Sequence, residues 1–149
     1  MYLRVDDRLI HGQVVTAWIK QLKLKKILVV DDMAAANKII GKTLKMACPK
    51  GVALTVATTE DGKALVASQG EESLIICKLP VTALALYQAN PDHDWTVCVG
   101  NVSGAAGRET YSKSVHLDAE NHAAALELKA QPNVDIFMQT TPGDTQTRF

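Results

Sequence analysis

Short continuous apolar runs alternate along the chain with segments whose apolar residues recur every three or four positions. The runs Lys26–Val30, Val52–Ala57, Leu74–Cys77, Trp95–Val99 and Val134–Met138 are rich in Val, Ile and Leu, with little polar alternation. Such runs suit parallel strands covered on both faces. Tyr2–Val5 reads as a short first strand, and Ser114–Leu117 is a further strand candidate. Gly12–Leu22 carries Val14, Val15, Trp18, Ile19 and Leu22 at helical spacing, and Ala34–Met46 carries Ile39, Ile40, Leu44 and Met46 in the same way. Glu60–Ser68 and Val81–Gln88 are shorter helical segments. Asp118–Ala130 opens on a residue suited to capping a helix start.

This alternation predicts an α/β fold: a single domain over residues 1–149, built on a mostly parallel open sheet with helices on both faces. The polar end Thr140–Phe149 is expected to be loosely held. Open parallel sheets bind ligands beyond the carboxyl ends of their strands. The loops that matter are therefore Asp6–His11, Asp31–Met33, Thr58–Thr59, Lys78–Pro80 and Gly100–Gly107.

Composition narrows the function classes. Sixteen basic residues balance sixteen acidic ones among 149, so no nucleic-acid partner is expected, since that binding needs basic surface. The three cysteines Cys48, Cys77 and Cys98 are odd in number and widely spaced, as in a reducing, cytoplasmic setting. Four charges in the first ten residues argue against a signal peptide. No apolar run approaches the ~18 residues of a membrane span.

The first loop is the densest in chemistry. Asp6, Asp7, Arg8, His11 and Gln13 fall within eight residues, immediately before a helix whose start offers free N–H groups and the positive end of its dipole. This is an anion site by construction. A neutral imidazole is a nucleophile near pH 7. Arg8 offers charge-assisted hydrogen bonds, worth ~1.5–3 kcal/mol each. The carboxylates suit orientation of His11 or Arg8 better than direct phosphate contact, and Gly12 leaves room for close approach. The spacing by itself leaves two readings open: a phosphoryl carrier, or a regulatory module that binds an anion without passing it on.

Other candidates are weaker. Thr58 and Thr59 can offer hydroxyls to a phosphoryl group or cap the next helix. The loop with Asn101 can wrap an anion or a partner, or simply connect. Lys78 can reach the site or stay solvated. His93, His116 and His122 have no metal-ligand spacing, so no metal is expected.

The segment Arg4-Val5-Asp6-Asp7-Arg8-Leu9-Ile10-His11-Gly12-Gln13-Val14 resembles, at every position, the opening motif of the IIB component of the mannose/fructose/sorbose family of the bacterial phosphotransferase system. Leu28–Asp32, Cys77–Pro80, Val99–Val102, Lys113–Asp118 and Asp135–Gln139 followed by Pro142 resemble later family segments, with the Gly100-Asn101 order altered. The resemblance implies that His11 accepts a phosphoryl group, through Nδ1, from the phosphohistidine of a IIA protein. It implies that His11 passes the group to a sugar entering through the IIC and IID membrane subunits. Arg8 is then the phosphate-binding arginine and Asp6 the carboxylate that supports the loop. No cofactor is implied. The protein is then a phosphohistidine–sugar phosphotransferase at the inner face of the membrane, with Leu9 and Ile10 contributing apolar docking surface around the loop.

Overall fold

The computed structural model describes residues 1–149. Eight strands and six helices alternate: β1 (Tyr2–Asp6), α1 (Gly12–Leu22), β2 (Lys26–Val30), α2 (Asp32–Ala36), α3 (Lys38–Ala47), β3 (Ala53–Ala57), α4 (Thr59–Val66), β4 (Ser73–Cys77), α5 (Pro80–Ala89), β5 (Trp95–Asn101), β6 (Glu109–Ser112), β7 (Val115–Leu117), α6 (Ala119–Lys129) and β8 (Val134–Met138). Six strands form one parallel sheet in the order β3-β2-β4-β1-β5-β8. The short strands β6 and β7 form a separate antiparallel pair. That pair sits at the end of β5, where Val102 bridges to Val115.

Both faces of the sheet are covered, which is why its strands are apolar throughout. On one face, Val66 of α4, Leu86 of α5 and Leu128 of α6 pack with Leu3, Val5, Ile75 and Val97. On the other, Val15 of α1 and Leu44 of α3 pack with Ile27, Val29, Leu74 and Ile76, while Trp18 packs with Cys98 and Phe137. The edge strand β3 is covered less completely and alternates in burial. Consecutive connections leave β1 and β5 toward opposite faces, α1 on one and α6 on the other. Their carboxyl ends therefore flank a crevice of the kind in which open sheets place ligands.

Three expectations need correction. The segment Ala34–Met46 is two helices, because Asn37 is extended and its side chain accepts from the N–H groups of Ile39 (2.9 Å) and Ile40 (3.2 Å). An asparagine oxygen competes with the backbone for those donors and starts a new helix where the periodicity suggested continuity. The stretch before Ser114 contains a strand, β6, whose partly exposed Glu-Thr-Tyr-Ser sequence carries no buried-strand signal. The C-terminal residues are tied down: Met138 and Thr147 exchange backbone hydrogen bonds of 2.7 and 2.9 Å, Gln139 donates to Asp144, and Trp18 donates to the carbonyl of Thr140. Polar composition hid these ties because they run through backbone groups.

Candidate functional site

β1 runs through the middle of the sheet and ends on Asp6. The chain then makes a tight turn, in which the Leu9 N–H donates to the Asp6 carbonyl at 2.9 Å. Leu9 has a φ of 60°, a left-handed conformation that costs a residue with a Cβ ~1–2 kcal/mol. Its side chain and that of Ile10 are buried with Val15, Leu44 and Ile76. Apolar burial thus anchors a strained turn at the foot of α1, as is common where geometry serves function. Leu9 and Ile10 are consequently unavailable as docking surface. The exposed apolar side chain beside this loop is Ile39 of α3.

His11 occupies the cap position of α1, extended at φ −110° and ψ 108°, and its side chain makes no capping bond. The exposed ring has no hydrogen-bond partner within the chain. The first N–H bonded to this turn is that of Val15, to the His11 carbonyl. The N–H groups of Gly12, Gln13 and Val14 remain at the open helix end. A Cβ on Gly12 would meet nothing within 4 Å, so this side of the loop is open to solvent. Gln13 is exposed and lines a shallow groove with Thr16, Lys20 and Ala47.

Asp6, with a side chain 1% exposed, organises the loop. Its Oδ1 accepts from the backbone N–H of Arg8 (3.0 Å) and from Arg8 Nε (2.9 Å). Its Oδ2 accepts from Arg8 Nη2 (2.9 Å) and from Arg4 Nη2 (3.1 Å). Four donors fill the carboxylate's acceptor positions, so Asp6 orients Arg8 rather than the imidazole. The hydrogen bond to Asp6 is the largest cause that raises the Arg8 pKa above its usual value, against desolvation. The Arg8 side chain stays one-third exposed, at 33%. Only Nε–H and one Nη2–H face Asp6. The outer Nη1/Nη2 edge keeps three N–H groups for an anion.

Asp7 turns the other way. Its Oδ1 accepts from Asn101 Nδ2 (2.9 Å) and its Oδ2 from the Ser103 N–H (2.7 Å). The β1–α1 loop is thereby stitched to the loop after β5, and Asn101 supports the site through Asp7. Beside this junction a polar cleft of about 660 Å³ opens between the ends of β5 and β8, lined by Asn101, Ser114, Gln139 and Thr140 among others. On the other side, Arg8, Leu9 and Ile10 line a groove with Ile39 and Lys78.

Of the remaining sequence candidates, only Lys78 lies beside the loop. Thr58 caps α4, accepting from the Asp61 N–H at 3.1 Å, and the Thr59 N–H donates to Asp32. Both follow the edge strand β3, with β2 and β4 between it and β1. At the ordinary strand spacing that is roughly 14 Å from the His11 loop. Lys78 pairs with Asp31 at 3.4 Å. His93 is exposed, His116 Nδ1 bonds Thr110, and His122 stacks on Tyr111. No cluster of three or more histidine, cysteine or carboxylate groups is placed to hold a metal ion.

Sequence reasoning missed Arg4. It alternates with the core residues Leu3 and Val5, yet is itself fully buried. Nη1 reaches the Gln139 carbonyl at 3.2 Å, and the guanidinium lies over the Trp18 ring at 5.6 Å. Gly100 makes the space, since a Cβ there would stand 2.1 Å from the guanidinium carbon. The β1–β5 register shifts at this point, pairing Val5 with Val99 but Asp6 with Asn101. The sequence shows it only as the first residue of the Arg4–Val14 segment, a charged side chain between Leu3 and Val5.

The architecture defines an open parallel α/β domain that carries, at the carboxyl edge of its sheet, a histidine at a helix start and an arginine held by a buried carboxylate. A family model for the PTS system sorbose subfamily IIB component matches residues 1–149. The chain therefore belongs to the sorbose subfamily of IIB components of the sugar phosphotransferase system. A probable phosphotransferase enzyme IIB component of Streptococcus pyogenes serotype M6 is 36% identical, over 99% of this chain and 94% of that protein. The crystal structure of the N-acetylgalactosamine-specific IIB component 1 from Escherichia coli superimposes with a TM-score of 0.91 at 27% identity, covering 99% and 97% of the two chains. The IIBSor domain of the sorbose permease from Klebsiella pneumoniae gives 0.87 at 25% identity, covering 99% and 93%. No helix is long and apolar enough to cross a membrane.

Proposed function

We propose that residues 1–149 act as one phosphocarrier domain, a phosphohistidine–sugar phosphotransferase that takes a phosphoryl group from a phosphorylated IIA protein onto His11. The domain then gives the group to a sugar held by the IIC and IID membrane subunits, working from the cytoplasmic face. The observation that carries this reading is the unpartnered His11 ring at the cap of α1, on the same loop as an arginine whose free edge faces outward from Asp6.

In the loading step a lone pair on a His11 ring nitrogen attacks phosphorus. A new P–N bond forms as the P–N bond to the donor histidine breaks. The far nitrogen of His11 loses a proton and the donor ring gains one, so the exchange needs no other reactant. In the second step a sugar hydroxyl attacks and yields its proton, and His11 leaves as neutral imidazole. The protein's task is position and charge: Arg8 and the N-terminal N–H groups of α1 stabilise the phosphoryl oxygens. The exposed Ile39 beside the Arg8 groove supplies apolar surface for IIA.

Incubation with phosphorylated IIA and a radiolabelled phosphate donor tests the assignment. Wild type should acquire one acid-labile label and His11→Ala none. Equal labelling of both proteins would refute His11 as acceptor. Phosphate binding without any label would mark an anion-sensing module instead.

A further inference from the structure

We propose that Arg4 is a positioning residue for phosphoryl transfer, which balances the charge of Asp6 from below and so leaves the outer face of Arg8 free for the phosphoryl group. This rests on the phosphocarrier reading above and assigns a part in it to a side chain that never meets the substrate.

Three observations converge. The first is burial. Arg4 is 0% exposed in a strand whose flanking residues, Leu3 and Val5, are core, and its Nε has no partner. An ion pair in such a place contributes little to stability against an apolar side chain of the same volume, because desolvating the charges cancels their attraction. Stability alone is a poor reason for it. The second is accommodation. The sheet is bulged at Gly100, and that position tolerates no Cβ against the guanidinium, so the fold is shaped around this one charged group. The third is the charge count. Arg4, Asp6, Asp7 and Arg8 sum to zero. Without Arg4, two carboxylates share a single arginine, the sum is −1, and an incoming phosphoryl group meets a net negative loop. Arg4 shares Oδ2 of Asp6 with Arg8, at 3.1 and 2.9 Å. Asp6 can therefore aim Arg8 without consuming the only positive charge at the site. Gln139 and Trp18 fix Arg4 from the side away from the loop.

The test uses the whole chain and a small donor, radiolabelled phosphoramidate, so that partner docking does not enter. Arg4→Lys keeps the charge; Arg4→Gln and Arg4→Met remove it. Folding of each is checked by its amide NMR spectrum. The neutral variants should label His11 about tenfold more slowly, the order expected for one unit charge acting through protein at an effective dielectric of ~20. Arg4→Lys should stay within about threefold of wild type on the same scale. Inorganic sulfate, as a competing anion, should need about tenfold more concentration to halve labelling in the neutral variants and no more than wild type in Arg4→Lys. Neutral variants that are folded and label like wild type would overturn the proposal. So would an Arg4→Lys as slow as Arg4→Met, or neutral variants that both fail to fold while Arg4→Lys folds, since each outcome leaves Arg4 a purely structural role. A wild type that takes no label on His11 would instead sink the phosphocarrier reading.

Discussion

Arg8 and Asp6 show how much of the site is set by single atoms. Asp6 accepts Arg8 through Nε and Nη2, which points the opposite edge of the guanidinium outward. Arg8→Ala should leave the fold intact, because Asp6 keeps the Arg8 backbone N–H and Arg4 as donors. It should slow labelling of His11 by about ten- to a hundredfold, the equivalent of one charge-assisted contact of ~1.5–3 kcal/mol. Unchanged kinetics would remove Arg8 from the transition state. The cysteines make a separate prediction. Burial pushes the Cys98 thiol from 9.0 up to about 11, and the Cys77 thiol to about 12. Both should resist iodoacetamide in the native protein at pH 8, with half-buried Cys48 reacting first. A thiol whose pKa is raised by folding holds its proton in the folded state after the unfolded chain has lost it. The stability it contributes is complete below pH 9 and is lost as pH rises through about 11 to 12. Denaturant midpoints measured across that range should fall.

At the scale of elements, helix starts place the chemistry. α1 begins on a histidine that does not cap with its side chain, so the ring stays available and the helix N–H groups stay open. α3 begins on Asn37, which caps two N–H groups and turns the chain between α2 and α3. Asn37→Ala should cost about 1 kcal/mol of unfolding free energy, the usual value of an N-cap, read from a lowered denaturant midpoint. A null effect would mean that packing of Leu44 alone starts that helix. The motif around His11 was legible from residues because its parts are local in sequence. Arg4 was not, because its partners Gln139, Cys98 and Trp18 come from the turn after β8, from β5 and from α1. For Thr58 and Thr59 the sequence left capping and phosphoryl contact both open, and the strand order, with β3 at the edge, sets them apart from the His11 loop.

For the molecule as a whole, the surface that meets a partner is decided by which side chains the core claims. Leu9 and Ile10 are drawn inside, while Ile39 remains 76% exposed beside the Arg8 groove. Ile39→Ser, which adds no charge beside Arg8, should therefore not unfold the protein. It should slow transfer from phosphorylated IIA at least about tenfold, as loss of a central apolar contact does, and leave labelling by phosphoramidate unchanged. Equal rates with both donors would move the docking face elsewhere.

The alternation of apolar runs and helical periodicity was enough for the α/β class, because burial on both faces of a parallel sheet writes itself directly into composition. The eleven residues from Arg4 to Val14 were enough for the family. Strand order, the bulge at Gly100, the buried Arg4 and the tied C-terminal residues were decided only in three dimensions. Each depends on groups brought together from distant parts of the chain, often through backbone atoms or a missing Cβ. No local pattern of side chains records such contacts.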